Sequence, residues 1–416
     1  MKNKLALLML LVVGLLVFSL PSRAELVIRI TGGVDDGIPV IIAPFQNSSL
    51  ASVVEADLHR SGRFNLIDPT KAGQPLVMGQ PIPANVLRAS GAEYIVVGRQ
   101  VGVLEFEIIN AATGKRAAGF RIPQHPNQRR MAHKAADLIF ERLTGIKGAF
   151  DTRVAYVAAS GPAKAQAYQL IVADSDGFNP RTILASIKPI MSPGWSPNGR
   201  QLAYVSYESG RSAIYVQDLT SGSKRAVSTQ MGMNAAPAWS PDGRFLAMSL
   251  SEEGNADIFL LEVGNGQLRR ITTSRAIDTE PAWANNNTLV YTSDQGGKPQ
   301  LYRTTVAGGE GSRMTFSGGY NSAPSVVGNS VAMVREVGNA SRIAVMNASS
   351  RDSVIVSDGS FDESPSLAPN GAMVLYATDT NGRGVLAVAS ANGKARQVLV
   401  TQAEDVRDPA WSPYLD

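Results

Sequence analysis

Three histidines, His59, His125 and His133, are the only imidazoles in this 416-residue chain. None stands in an H-E-x-x-H or zinc-ligand spacing. Cysteine is absent, so the chain offers neither a thiolate nucleophile nor a disulfide. With no partner carboxylate at motif spacing, His59 reads as a helix-end residue and His133 as a helix-face one, not as acid-base catalysts. Gly194-Trp195-Ser196-Pro197-Asn198 begins like a nucleophile elbow but lacks the closing glycine. Gly114-Lys115 is followed by Arg116 and Gly393-Lys394 by Ala395, so no phosphate-cradling glycine-lysine loop occurs. Asp174-x-Asp176-Gly177 resembles the start of a calcium loop, yet no downstream glutamate completes it and it falls where a hairpin turns. The expectation is no catalytic residue, no metal and no cofactor.

Elements that would position any site are written in a repeat. Pro193, Pro237, Pro281, Pro324, Pro365 and Pro409 recur at intervals of 44, 44, 43, 41 and 44 residues. Four of the six copies place a tryptophan two residues on, at Trp195, Trp239, Trp283 and Trp411, which are all the tryptophans present. A period of this length marks a repeat architecture. The fullest copy, Ala236 to Leu250 with its continuation through Asn265-Gly266, parses as four strands and three turns. Pro-Asp-Gly at 241 to 243 and Asn-Gly at 265 to 266 supply the turn chemistry. Four antiparallel strands make one propeller blade. The second strand recurs at Val154 to Val157, Leu202 to Val205, Leu246 to Met248, Leu289 to Tyr291, Val331 to Met333 and Val374 to Tyr376, which makes six blades.

The first of these strands has no Pro-x-Trp strand before it, and the last Pro-x-Trp strand has nothing after it. Residues Asp408 to Pro413 are therefore expected beside Val154 to Ala158, closing the ring and removing an open edge.

Before the repeat lies different texture. Lys2 and Lys4, an apolar run from Leu5 to Leu20 and Ser22-Arg23-Ala24 read as a secretory signal peptide over residues 1–24, with the mature chain beginning at Glu25. The run is short for a membrane span. Without Lys2, Lys4 and Arg23, 36 basic residues face 35 acidic ones, and the formal charge falls from +4 to +1. That balance gives no warrant for nucleic-acid binding. Residues 38–150 carry a buried strand at Pro39 to Pro44 and a helical pattern at Leu50 to Leu58. Strands at Phe64 to Ile67, Tyr94 to Val97 and Leu104 to Ile109, a returning strand at Ala118 to Ile122 and a closing helix at Met131 to Leu143 complete a separate α/β domain. The fold class is mixed: a small N-terminal α/β domain, then a six-bladed β-propeller over 151–416 closed by the C-terminal strand.

Propellers also accompany peptidases, but the segment before the repeat contains no G-x-S-x-G. A propeller-type hydrolase subunit and a sensor binding a small ligand or carbohydrate stand as alternatives to a protein adaptor; the sensor requires a closed apolar channel with convergent polar groups.

Alternation of turns assigns the binding surface. The segment before each proline feeds the innermost strand and shares a face with the loop between second and third strands, while the Pro-Asp-Gly turns lie opposite. These segments are Ile190 to Ser192, Met231 to Ala236, Ser274 to Glu280, Gly318 to Ala323, Asp358 to Ser364 and Glu404 to Asp408. One arc is acidic, with Asp278, Glu280, Asp358, Asp362, Glu363, Glu404, Asp405 and Asp408 against Arg275 and Arg407. Another offers Met231, Met233 and Asn234, adaptable apolar surface suited to a partner.

At several stretches the chain resembles the TolB family of the Tol-Pal envelope system. They include Leu143-Thr144-Gly145-Ile146-Lys147-Gly148-Ala149-Phe150, Glu363-Ser364-Pro365-Ser366-Leu367-Ala368-Pro369-Asn370-Gly371 and Pro409-Ala410-Trp411-Ser412-Pro413-Tyr414-Leu415. The resemblance spans the whole chain in the same domain order. It implies a non-enzymatic periplasmic protein that binds the peptidoglycan-associated lipoprotein Pal through the propeller mouth. The resemblance carries over to Asn234, Ala236, Thr279 and Glu280; with Met233, Asp362, Glu363 and Arg407 of the pre-proline segments they make up the expected Pal-binding mouth. Met233 departs from the family, which often has a histidine there.

The resemblance also implies that the mature amino terminus, residues 25–37, engages the inner-membrane protein TolA. Within it Glu25, Leu26, Val27, Ile28, Arg29 and Ile30 form an alternating extended stretch able to add to a sheet edge. The same stretch reads equally as a first strand of the α/β domain, and docking in one state with release in another reconciles the two.

Overall fold

The computed structural model describes residues 30–31, 36–162, 164–251, 254–399, 401 and 405–415. The signal peptide and Glu25 to Arg29 lie outside the described residues.

The α/β domain is a five-stranded sheet ordered β3-β2-β4-β5-β6. Strand β1, Ile30–Thr31, is not part of it. Strands β2 (Ile38–Ile42), β3 (Phe64–Leu66) and β4 (Tyr94–Val101) are parallel neighbours, and β5 (Val103–Asn110) and β6 (Arg116–Ile122) extend β4 as an antiparallel meander. The β4–β5 hairpin reverses at Gly102, whose φ of 71° suits glycine. Helix α1 (Ala51–Arg60) packs against the long helix α3 (Gln128–Thr144); the short helix α2 (Ala84–Ala89) was not read from the sequence. Asn127 caps α3 by accepting from the Arg130 N–H, and left-handed Gly145 ends it.

Six four-stranded blades follow. Blade one joins the chain's last strand, Asp405–Trp411, to Arg153–Ser160, Ala167–Asp174 and Arg181–Ser186. Trp411 pairs with Val154 and Asp405 with Ala159, so the closing strand starts three residues earlier than the repeat indicated. Blades two to six begin with innermost strands Ile190–Trp195, Asn234–Trp239, Asp278–Asn285, Asn321–Val327 and Glu363–Leu367.

Alternation along the second strands explains why these runs are apolar at every position. In blade two, Leu202 and Tyr204 enter the core shared with blade one, and Ala203 and Val205 enter the core shared with blade three. A strand covered on both faces has no solvent side to make polar. Two of the tryptophans stitch neighbouring blades: the indole N–H of Trp195 donates to the Ala410 carbonyl and that of Trp283 to the Ala238 carbonyl, each at 3.0 Å. Trp411 donates to the Thr152 hydroxyl at 2.8 Å, locking the last strand to the start of the propeller.

The core between blades six and one is continuous with that of the α/β domain, through Phe140, Phe150, Tyr156 and Trp411. Gly62, with φ of 63°, lies against Ser390 and Asn392 of blade six where no Cβ fits, and the Asn392 amide donates to the Gly62 carbonyl at 2.9 Å.

Strand β1 corrects one of the two readings of the amino terminus. Ile30 and Thr31 pair antiparallel with Gln397 and Arg396, forming a fifth strand on the outer edge of blade six. That edge is open beside the entry to β2, and Lys394 of the same blade pairs with Asp36. Ile30 and Thr31 thus form an added edge strand on the propeller and are not part of the α/β sheet.

Candidate functional site

Each innermost strand is entered through a residue in the left-handed region directly before the proline. Ser192, Ala236, Glu280, Ala323, Ser364 and Asp408 have φ between 48 and 54°, and none is glycine. Such a backbone costs on the order of 1–3 kcal/mol per residue and is held only by its surroundings. At each of these positions the ladder with the second strand slips through a bulge.

Three residues before the proline sits the group that shapes the approach. Asn234, Asp278, Asn321 and Asp362 are fully or almost fully buried. The Asn234 amide donates to the carbonyls of Ser212 and Gln230, and its oxygen accepts from the Ser228 hydroxyl at 2.6 Å. Asp362 accepts from the Ser357 hydroxyl and the Gly359 N–H. Asp278 accepts from the Ser274 hydroxyl at 3.1 Å, and burial raises its carboxyl above the ordinary range. Asn234 and Asp362 therefore face inward and hold their loops, in contrast to the surface position expected of them as mouth residues.

The prolines and left-handed residues line a channel of about 520 Å³. Among the described residues lining it, Glu280 and Asp408 are the only ionisable ones. Blades four and one carry them, half a ring apart. Ala236 lines the channel with them. Thr279 is half-buried and bonds through its hydroxyl to the Ser249 hydroxyl at 3.1 Å. Met233 is half-buried too, its N–H donating to the Ser251 hydroxyl at 2.9 Å. Glu363 is exposed at the rim; desolvation by the mouth wall raises its carboxyl, Asp408 adds to this and Arg407 opposes it. Arg407 itself pairs with Asp405.

Apolar rim residues surround this polar throat. Among the described residues, most large hydrophobic side chains left exposed lie in the segments leading into the prolines. Ile187 is 81% exposed and Met231 and Phe361 each 70%; Met191, Met231, Ile277, Tyr320 and Phe361 lie in the pre-proline segments, and Ile187 and Phe316 just ahead of theirs. Exposed apolar side chains gathered around a concave centre mark an interaction surface. Ile187, Phe316 and Phe361 were not singled out in the sequence; they stand at different distances from their prolines, so the repeat gave no positional signal for them.

Sequence reasoning also missed a buried charge cluster where the domains meet. His133 on α3 is 1% exposed. Its Nδ1 is 2.7 Å from Asp57 Oδ2 on α1, and its Nε2 is 3.4 Å from Asp176 Oδ2 in the first-blade turn. Arg60 pairs with Asp57 and Arg129 with Asp176, each at 2.5 Å. Desolvation opposes charge on His133, but the two carboxylates outweigh it and push the imidazole up to about 10. Asp176 is held well below the usual carboxylate range by His133 and Arg129 despite its burial. Asp137 on α3 accepts the N–H groups of Phe150 and Asp151, yet burial dominates and pushes its carboxyl up to about 7. The Asp174-x-Asp176-Gly177 motif is thus a turn, as read, but one whose second aspartate joins the domains. Among the described residues no group of histidine, aspartate and glutamate side chains is arranged to hold a metal ion.

Fold and site together define a two-domain protein, a small α/β domain joined to a six-bladed propeller with exposed apolar side chains about its channel. Comparison with known proteins specifies the family. Residues 140–415 match the TolB beta propeller domain and residues 26–114 the TolB amino-terminal domain. The chain is 48% identical over 413 residues to the Tol-Pal system protein TolB of Xanthomonas campestris pv. campestris strain B100, covering 94% of each protein. To its counterpart in Xanthomonas oryzae pv. oryzae strain MAFF 311018 it is 47% identical, over 100% of this chain and 99% of the other. The crystal structure of TolB from Acinetobacter baumannii superposes with a TM-score of 0.85 at 34% identity, covering 93% of this chain and 99% of that one. The chain belongs to the TolB family and is a component of the Tol-Pal system. No helix among the described residues is long and apolar enough to cross a membrane.

Proposed function

We propose that this protein is a non-enzymatic periplasmic adaptor that binds the peptidoglycan-associated lipoprotein Pal through the propeller mouth and TolA through residues 25–37. In this role it supports outer-membrane integrity and envelope constriction during cell division. The observation that carries the reading is the concentration of exposed apolar side chains, Ile187, Met231, Ile277 and Phe361 among them, around a throat whose ionisable lining, among the described residues, is Glu280 and Asp408. Apolar contacts supply affinity and the central polar groups supply register.

The amino-terminal segment is attached where coupling has a physical route. Strand β1 extends the same hydrogen-bonded sheet whose innermost strand carries Glu363 and Ser364 at the mouth. A partner that shifts that sheet changes the affinity of its outer edge for β1, and hence the fraction of time the segment is free for TolA.

The test is co-precipitation from solubilised envelope, probed for Pal. Recovery with the wild-type protein, lost on Glu280→Arg or Ala236→Tyr while thermal unfolding is unchanged, is the expected result. Unchanged recovery with both variants rejects the mouth as the site.

A further inference from the structure

A residue forced into a bulge turns its N–H out of the strand ladder, and that group then requires another acceptor. Around the mouth, side chains of adjacent blades supply it. The Ala323 N–H of blade five donates to Glu280 Oε2 of blade four at 2.8 Å, and the same carboxylate oxygen accepts from the Thr292 hydroxyl at 2.8 Å. The Glu280 N–H donates to the Ser249 hydroxyl of blade three at 3.1 Å. On the opposite side, the Ser192 N–H of blade two donates to Asp408 Oδ2 of blade one at 3.1 Å, and the Ser364 hydroxyl of blade six donates to Asp408 Oδ1 at 3.2 Å.

Glu280 reaches forward to one neighbour, whereas Asp408 reaches both ways. Its two oxygens connect the pre-proline residues of three consecutive blades. It also stands on the closing strand, where the chain's last residues meet its first blade.

We propose that Asp408 is a positioning and specificity-determining residue for the docked partner, holding Ser364, itself and Ser192 as one arc of the mouth. This rests on the reading of the mouth as a partner site. Without the carboxylate, the Ser192 amide loses its acceptor and the strained backbone at 192 and 364 relaxes toward cheaper conformations. The mouth then has to be ordered by the partner, and affinity falls by that cost. Asparagine keeps both connections: its oxygen accepts from the Ser192 N–H while its amide donates to the Ser364 hydroxyl.

The experiment compares Asp408→Ala and Asp408→Asn in the full mature chain, with two readouts. Calorimetric titration with the purified soluble domain of Pal is expected to show about tenfold or greater weakening for Asp408→Ala, and Asp408→Asn within about threefold of wild type. Native-state amide exchange at Ser192 is expected to quicken by about tenfold in Asp408→Ala and not in Asp408→Asn. Equal Pal affinity for wild type and Asp408→Ala overturns the specificity role, as does Asp408→Asn binding no better than Asp408→Ala. Unaltered Ser192 exchange in Asp408→Ala overturns the clamp itself. If Pal does not bind the wild type, the reading of the mouth fails and the specificity role with it, while the exchange measurement still decides the clamp.

Discussion

Replacing His133 by alanine isolates what joins the two domains. The imidazolium lies 2.7 Å from one carboxylate and 3.4 Å from another. At an effective dielectric constant of about 20 these contacts are worth roughly 6 and 5 kcal/mol of gross attraction. Desolvation of a fully buried ring consumes much of this, and breaking a buried pair costs about 3–5 kcal/mol in practice. Arg60 and Arg129 remain beside the two aspartates, so the lower end, about 3 kcal/mol, is the expected loss for His133→Ala. Urea unfolding separates the domains, because all four tryptophans lie in the propeller and every described α-helix lies in the α/β domain. The helical circular-dichroism transition is expected to move to lower urea, with a smaller shift in tryptophan fluorescence. A double-mutant cycle of His133→Ala with Asp176→Ala is expected to give a coupling of about 1–3 kcal/mol. The sign with pH follows from a folded-state value raised from 6.5 to about 10: the stabilisation is complete below about 6.5 and disappears as pH rises through 10. A coupling below about 0.5 kcal/mol, or a difference between wild type and His133→Ala that stays constant from about pH 7 to 10.5, refutes the reasoning.

Asp137, pushed from 3.8 up to about 7, binds more protons folded than unfolded, so its contribution to stability declines as pH rises between those values. Asp137→Asn is expected to flatten the slope of unfolding free energy over that window, read by denaturant titration at several pH values. Trp411→Ala empties a buried site in the closing strand and removes the bond to Thr152; a loss of about 3–5 kcal/mol is expected by urea unfolding. Removing residues 405–416 leaves the strand at 153–160 unpaired on one side, and size-exclusion chromatography is expected to show aggregation. TolA affinity, measured with and without saturating Pal, is expected to differ by about fivefold or more; equal values eliminate coupling and leave both binding sites standing.

The propeller was legible because its instructions are local and repeated. The repeat proline, the apolar second strand and a tight turn each fix their own geometry, and six copies, four of them with Pro-x-Trp, leave little freedom in how they assemble. The ring's closure followed from counting strands. The mouth was legible only as a set of segments: sequence cannot tell that Asn234 and Asp362 turn inward while Glu280 turns to the channel, because a three-residue offset from proline is a matter of bulge geometry. His133 and Asp176 were read as a helix face and a turn because their partners, including Asp57, lie far away in sequence and meet only when the domains pack. Likewise the alternation at Glu25 to Ile30 marks a strand without naming the sheet, and the open edge of blade six decided it for Ile30 and Thr31.

The account's central claim is that the partner sits on the pre-proline face. Hydrogen exchange of the full mature chain, with and without saturating soluble Pal, tests it most directly. Protection is predicted within residues 187–193, 231–237, 274–281, 316–324 and 358–365. Protection confined to the opposite face, at the turns around Pro197, Pro241 and Pro369, or to the α/β domain, would contradict it.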